Sequence, residues 1–515
     1  MVSTFLSRYG RVKPMMDILH NLSGGFGVAL TLENMIYCLI GAALGTLVGV
    51  LPGLSPVTTI AMLLPLTFKM PAVASLIMLT GIYYGAHHAG STTAIMMNMP
   101  GEPTSVVICI DGHPMAKQGR AGPALCVSAL GSFFAGCVSV AVIALFSPPL
   151  AVIAQSFGPV EYASMIVLAL VAVSVITSEA AVTTISMAVL GLLLGTVGTD
   201  ISTGLMRFTL GFHQFDEGLN FVAVAVGLFA LAQITFNLGA KTTRVIATKV
   251  TGLIPTREDL KAAWGPIWRG TALGSAIGIF PGTGPLIASF ASYSMERRLA
   301  KDPSRFGKGA IEGVAGPEAS NNAATFTHFI PMLTLGIPAG APMALMLAAL
   351  MIQGITAGPQ LMTQHADLFW GVIASMFVGN AMLLVLNLPL VGIWIRLLAV
   401  PYRFLYPVVL VCCCIGVYSV NNSAFDVLFA AVVCLIGFLF VQLECSPAPL
   451  ILGLILEPML EENFRRALLI SRGDAWVFVE RPISLAILIS AVALTVVFCA
   501  PALRRKATQG VDVPL

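Results

Sequence analysis

The chain has 515 residues, of which 57% are apolar and 10% charged, with a mean hydropathy of +0.91. An ordinary soluble domain carries about a quarter charged residues, so a soluble globular fold is excluded. The net charge of +3 gives no reason to expect nucleic acid as a partner and fits loop cations that orient helices in a lipid bilayer.

In chain order, residues 1–24 form an N-terminal segment with Arg8, Arg11 and Lys13. It has no compact apolar core or small-residue cleavage site, so a removable signal peptide is not expected. A first membrane repeat follows over 25–238, and a basic connector over 239–269. A second repeat with the C-terminal spans covers 270–500, and a polar tail 501–515. Runs such as Ala180–Thr199, Leu219–Leu238, Ala424–Leu443 and Ile483–Ala500 reach the ~20 apolar residues that a bilayer core demands. The ten cysteines are scattered in apolar runs without a CxxC pair, and read as small buried hydrophobes rather than disulfides or metal ligands.

The two repeats announce themselves in one pattern, G-x3-G-x2-P-G-x2-P. It occurs from Gly45 through Gly49, Pro52 and Gly53 to Pro56, and again from Gly274 through Gly278, Pro281 and Gly282 to Pro285. The same offset (45 to 274) carries Ser91-Thr92-Thr93-Ala94 onto Ser320-Asn321-Asn322-Ala323, and Ile82 and Ala86 onto Ile311 and Ala315. A second Pro/Gly break follows in each half, at Pro100-Gly101-Glu102-Pro103 and at Pro338 to Pro342. Helix breakers in lipid are tolerated where the freed backbone faces protein or a watery cavity, and paired breaks in a duplicated chain mark a secondary transporter.

The expected fold is an all-α polytopic membrane protein with two inverted repeats, re-entrant hairpins or broken helices, and about 10–12 transmembrane spans. The connector and the 296–308 loop, with Arg297, Arg298, Lys301, Arg305 and Lys308, are both basic and should be cytosolic. The apolar stretch between them, cut at Pro281-Gly282, is too short to cross twice, hence the re-entrant hairpin. The corresponding loops of the first half carry the opposite charge bias, hence the inversion; Arg8, Arg11 and Lys13 argue against it.

The breaks place the chemistry. Half-helices that end inside the bilayer leave backbone groups unpaired, with N-termini attracting anions and carbonyl ends attracting cations. Pro52, Gly53, Pro281 and Gly282 therefore stand as substrate- or ion-binding candidates; a kink that merely packs against a neighbour is the plainer reading. Ser91, Thr92, Thr93, Ser320, Asn321 and Asn322 join them, because hydroxyl and amide oxygens ligate Na⁺ while their hydrogens bond carboxylates. Three polar residues in succession cannot all face one neighbour, so local unwinding is expected, and Na⁺ is assigned to Ser91, Thr92, Asn321 and Asn322. Interhelical hydrogen bonding is the alternative. Glu318 is read either as a helix cap or as a carrier of the coupling ion. Asn98 and Glu102 flank the second break, and Asn98 joins the substrate- or ion-binding candidates. His87 and His88 could meet protons or a carboxylate, but adjacent helical side chains point about 100° apart and make poor joint metal ligands. Asp111, Lys117 and Arg120 read as interfacial anchors, and Glu179, Asp200, Asp216 and Glu217 as boundary residues. Glu457, Glu461 and Glu462 with Arg465 and Arg466 read as a solvated, internally paired helix.

No H-E-x-x-H, G-x-S-x-G, Walker A or CxxC redox motif is present. An enzyme is not expected, and the driving force must come from an ion gradient or a partner.

Several longer motifs add a resemblance. Gly45 to Gly53, Leu64-Pro-Leu-Thr-Phe68, Gly81-Ile-Tyr-Tyr-Gly85, Asn98-Met-Pro-Gly101, Asp111-Gly-His-Pro-Met-Ala116 with Gly119-Arg-Ala-Gly122, Glu312 to Ala323 and Pro331 to Pro338 are similar to the large membrane subunit of the tripartite tricarboxylate transporters. The resemblance covers roughly residues 25 to 500. It implies a multi-pass protein of the bacterial inner membrane that works with a small four-helix membrane subunit and a periplasmic solute-binding protein. It further implies Na⁺- or H⁺-coupled uptake of an organic carboxylate, with an elevator-like motion by analogy and no cofactor beyond a coupling Na⁺. The chain departs from the family pattern at Ala86-His87-His88-Ala89-Gly90 and around Thr325 to His328, which puts the identity of the solute in question. The rival readings are a stand-alone permease or channel, a membrane-embedded enzyme using His87, His88 or Glu318, and a non-transporting scaffold.

Overall fold

A computed structural model describes residues 14–51, 55–176, 181–200, 203–238, 252–280, 284–397 and 402–509. The first half contains α1 (Pro14–Ala29), α2 (Leu32–Val50), α3 (Pro56–Leu63), α4 (Ala72–Met97), α5 (Val106–Lys117), α6 (Ala121–Gln155), α7 (Pro159–Ile176) and α8 (Ala181–Gly195). A hairpin of two-residue strands follows, β1 (Gly198–Thr199) antiparallel to β2 (Met206–Arg207), with Gly198 opposite Arg207. Then comes α9 (Phe221–Ala225), which runs on through a π segment to Leu238. The second half contains α10 (Arg257–Gly278), α11 (Gly284–Leu299), α12 (Glu312–Thr327), α13 (Phe329–Leu335), α14 (Ala341–Ile352) and α15 (Ala366–Asn387). Four further long helices close the chain: α16 (Tyr402–Asn421), α17 (Ala424–Gln442), α18 (Ala448–Ile470) and α19 (Pro482–Gln509).

The protein is an all-α polytopic membrane protein. Helix satisfies every backbone group within one segment, which is what lipid requires. By length and composition α2, α6, α15 and α17 can cross a membrane, and seven shorter apolar helices accompany them among the described residues. On α17, Leu428, Leu435 and Leu439 point outward and exposed, as side chains bound for lipid do.

Helices end and restart around both Pro-Gly motifs. α2 stops at Val50 and α3 starts from the cap Ser55, whose oxygen accepts the Thr58 N–H at 3.1 Å. α10 stops at Gly278 and α11 starts at Gly284. Pro52, Gly53, Pro281 and Gly282 themselves lie outside the described residues, as does Glu179.

The described glycines of the motif serve packing. A Cβ on Gly45 would run into the Ile82 carbonyl of α4, and one on Gly274 into the Ser320 carbonyl of α12. Small residues at this spacing let two helices approach to backbone contact. The two halves are then interlocked. α3 packs on α14 of the other half, while α11 packs on α5 and on the turn Pro103–Ser105. α15 lies on α2 and α4, and α6 on α10 and α12.

The first helix of the second half begins earlier than its sequence suggests. α10 starts at Arg257 rather than Gly270, behind a capping box of Thr256 and Asp259. The polar end of the connector is therefore the first three turns of that helix, and Asp259 is ion-paired with Arg120 of the first half. The nine described cysteines are free, but only Cys38, Cys126 and Cys413 are buried, and Cys412 is exposed.

Candidate functional site

The polar triplets sit in unbroken helix. α4 runs through Ser91-Thr92-Thr93 and α12 through Ser320-Asn321-Asn322, so the expected unwinding does not occur. The reason is local: Thr93 donates its hydroxyl to the Gly90 carbonyl at 3.0 Å, and Thr325 to the Asn321 carbonyl at 2.9 Å. Short polar side chains that bond back to their own turn leave the helix intact.

The triplets are also not structural counterparts. Gly45 meets a carbonyl 37 residues further on (45 to 82), whereas Gly274 meets one 46 residues further on (274 to 320). The left-handed residues that end α4 and α13, Asn98 with φ +56° and Gly336 with φ +71°, show the same nine-residue slip. Measured by packing, Ser91 to Thr93 correspond to Phe329 to Pro331, and Ser320 to Asn322 correspond to Ile82 to Tyr84. What the fold does is bring Ser91 of one triplet and Asn322 of the other onto the same residue, Glu318.

Glu318 is the meeting point. It lies in mid-helix rather than at a helix N-terminus, and is 0% exposed. Its carboxylate accepts the hydroxyl of Ser91 from α4. It also accepts the hydroxyl of Ser132 from α6 at 2.7 Å and the Asn322 amide at 3.0 Å. The Asn322 amide reaches Ser132 as well, at 2.8 Å. A buried carboxylate needs such donors to remain tolerable in a low-dielectric interior. Core side chains including Ala94, Ile95, Leu125, Ala135, Ala319 and Ala323 surround the cluster.

Along these helices several buried polar atoms have no partner. They are both side-chain atoms of Asn321, Asn322 Oδ1, His88 Nε2 and His328 Nε2. Orphaned groups of this kind are rare in folded proteins and each calls for an explanation. Ser320 is committed elsewhere: its hydroxyl donates to the Ala288 carbonyl at 3.0 Å and pins α12 to α11. Thr92 is buried beside Ser91. Asn98 stands apart, exposed at the end of α4, where its left-handed backbone terminates the helix.

The two histidines separate, as adjacent helical residues must. His87 Nδ1 lies 2.5 Å from Glu102 Oε1, and Thr104 donates its hydroxyl to the same carboxylate. His87 also lies edge-on to Tyr83, whose hydroxyl meets His328 Nδ1 at 3.2 Å. Glu102 thus has two tasks, capping the turn that follows the second break and holding His87.

Three charged groups behave otherwise than their sequence positions suggest. Asp111 is no surface anchor: it is 0% exposed and accepts the backbone N–H of Gly307, Gly309 and Ala310 at 2.9, 2.8 and 2.8 Å, with Tyr293 OH at 2.9 Å. It ties α5 to the basic loop of the other half. Asp200 is buried and bound by the Arg465 guanidinium at 3.1 Å through two nitrogens. Glu457 is buried too, while Glu461 pairs with Arg465 at 2.6 Å and Glu462 with Arg466 at 2.7 Å, each one turn along α18.

A cavity of about 890 Å³ opens elsewhere, lined by Asp200, Arg207, Glu457, Glu461 and Arg465 among others. The Glu461 carboxylate holds the Arg207 guanidinium above its ordinary range. Most charges in that cavity pair with one another, Arg207 with Glu461, Arg465 with Asp200 and Glu461, and Arg466 with Glu462, and Arg207 Nε alone of that arginine lacks a partner. The buried cluster at Glu318, where several amide and imidazole atoms lack partners, is the better candidate site. Sequence reasoning missed Ser132, Thr104 and Tyr83, and met His328 only as part of a departure from the family pattern. The small residues Ser128, Ser132, Gly136 and Ser139, recurring along one side of α6, were the available signal for Ser132.

Broken, glycine-packed helices from two interlocked halves around a buried polar node are an arrangement expected of a membrane transporter. The chain belongs to the tripartite tricarboxylate transporter TctA family, whose profile matches residues 35–452. It is therefore a component of a multi-subunit transport system. It is 52% identical over 493 residues, covering 96% of this chain and 98% of the relative, to the "Uncharacterized 52.8 kDa protein in TAR-I ttuC' 3'region" of Agrobacterium vitis. It is 51% identical over 236 residues, 46% of this chain and 98% of the relative, to the "Uncharacterized protein in TAR-II ttuC' 3'region" of the same organism. No solved structure matches the chain.

Proposed function

We propose that this chain is the substrate-translocating subunit of a cation symporter for an organic carboxylate. The solute is delivered by a periplasmic binding protein, and a small four-helix membrane subunit completes the complex in the bacterial inner membrane. The observation that carries the reading is the Glu318 node, a buried acid beside unpaired amide groups, built from α4, α6 and α12 across both halves. Glu318 with the oxygens of Asn321 and Asn322 receives the coupling cation, Na⁺ or a proton. Amide hydrogens and the half-helix ends beside the two Pro-Gly motifs attract the carboxylate. Ser91 and Ser132 hold the acid in place, and Thr92 lies alongside.

The crossed packing of α3 on α14 and of α11 on α5 supports a pseudo-twofold relation between the halves, and the opposite charge bias of equivalent loops supports its being an inverted one. Cytosolic placement of the 296–308 loop follows from its cations. The alternative is a stand-alone organic-anion permease, which uptake without any soluble partner would reveal.

The test pairs two changes at the node. A screen of organic acids by thermal shift of the binding protein first identifies the solute. Asn321→Ala with Asn322→Ala then abolishes its uptake, by about a hundredfold or more if two buried ligand hydrogen bonds are lost, while membrane insertion is unchanged. Normal uptake by the double variant rejects the site.

A further inference from the structure

Three contacts set the register of α4 against α12. Tyr84 stacks on Phe326 with ring centroids 5.1 Å apart. Tyr83 OH meets His328 Nδ1 at 3.2 Å. Ser91 donates to Glu318. Numbers rise along one helix as they fall along the other, so the helices run antiparallel, and His88 stands level with Asn322. The interval between the aromatic stack and the Glu318 node is about 10 Å at 1.5 Å per residue. In that interval lie His88 Nε2, both side-chain atoms of Asn321 and Asn322 Oδ1, all without partners. His88 is 3% exposed and Asn321 1%, so water on the outer surface does not satisfy them.

We propose that His88 and Asn321 are the residues that read the substrate's carboxylate. His88 Nε2–H and the Asn321 amide N–H donate to its oxygens, and Asn321 Oδ1 and Asn322 Oδ1 turn to the cation at Glu318. A neutral imidazole suits the task, because it donates a hydrogen bond without adding a formal charge to a low-dielectric gap. His87 is not available for it, being held by Glu102. The acid at the end of the interval is Glu318, and a second acid, Glu102, holds the neighbouring His87, so a carboxylate enters only with a cation. His88 thereby acts as a specificity residue: it favours a planar carboxylate end over a neutral amide of the same shape. The inference rests on the carboxylate reading of the central site, and the experiment separates the two.

The experiment is a thermal-shift titration of the purified full-length chain with sodium succinate, sodium benzoate and sodium acetate, each matched against sodium chloride at the same sodium concentration. At least one carboxylate stabilises the wild type, and its neutral amide does not. For that probe His88→Ala and Asn321→Ala raise the half-saturating concentration about tenfold or more, the loss expected for one buried hydrogen bond. His88→Gln, which keeps an N–H donor, recovers most of it. If His88→Ala is not monodisperse, His88→Phe, of similar bulk and without a donor, replaces it. A half-saturating concentration for the Ala or Phe variant within about twofold of wild type overturns the role of His88. A wild type that none of the carboxylates stabilises overturns the carboxylate reading itself.

Discussion

In the first half Gly45 rests on the Ile82 carbonyl, and in the second Gly274 rests on that of Ser320. The two contacts are the same piece of architecture, yet the helices that receive them carry different chemistry at that level. The first presents Ile82, Tyr83 and Tyr84, the second Ser320, Asn321 and Asn322. One half supplies an aromatic wall with His87, His88 and Ser91; the other supplies Glu318 and the amides. A duplicated scaffold thus frees one copy to provide the acid while the other provides the donors that hold it. The comparison also teaches that equal spacing in a sequence does not guarantee equal place in a fold, since nine extra residues in one half move the motif by two and a half turns.

The comparison breaks most forcefully at the shared contact. Gly45→Leu and Gly274→Leu each force two backbones apart and cost about 3 kcal/mol or more, so both abolish recovery of monodisperse protein by size-exclusion chromatography. Loss from one and not the other would show that the contacts are not equivalent. Next come the hydroxyls. Ser91→Ala removes a donor from the Glu318 carboxylate and lowers uptake about tenfold, the scale of one charge-assisted hydrogen bond. Ser320→Ala, whose hydroxyl serves only the Ala288 carbonyl, leaves uptake within about threefold of wild type. Equal effects would put both serines in the same role. A smaller change is expected of Asp111→Asn. It weakens three backbone hydrogen bonds between the halves by about 1–2 kcal/mol in total, and the melting temperature falls by a few degrees. The smallest effect belongs to the helix ends. Asn98→Gly copies the residue at Gly336 and changes stability by about 0.5 kcal/mol or less, with uptake unaltered; a large loss of uptake would return Asn98 to the site.

Much of this was legible in the sequence. The Pro-Gly motifs mark places where helices stop and restart, because proline and glycine interrupt a hydrogen-bond ladder that lipid otherwise enforces. Glu318, Asn321 and Asn322 stood out as polar residues in an apolar chain and do lie together, buried. Other features were hidden by distance. Ser132 lies 186 residues from Glu318, and a serine in a run of small residues looks like packing. Asp111 read as an anchor because its neighbours Lys117 and Arg120 are surface cations, while the three N–H groups that hold it come from a loop some 196 to 199 residues away. The unwinding expected at the triplets did not occur, because hydroxyls such as those of Thr93 and Thr325 find a carbonyl in their own helix. The slip between the halves had no local signature, since the first motif repeats position for position and the second break recurs only as a loose Pro/Gly cluster, with the difference lying in the length between them.

The central claim is that a carboxylate buried between the halves couples solute to cation, and Glu318→Gln tests it most directly. Gln keeps the volume and can still accept from Ser91 and Ser132, but it carries no charge. Initial uptake of the solute by the reconstituted complex, with and without an inward Na⁺ or proton gradient, is the measurement. The account predicts that the gradient accelerates the wild type and leaves the Glu318→Gln variant unaffected. Acceleration of the variant to the same degree as the wild type would contradict it.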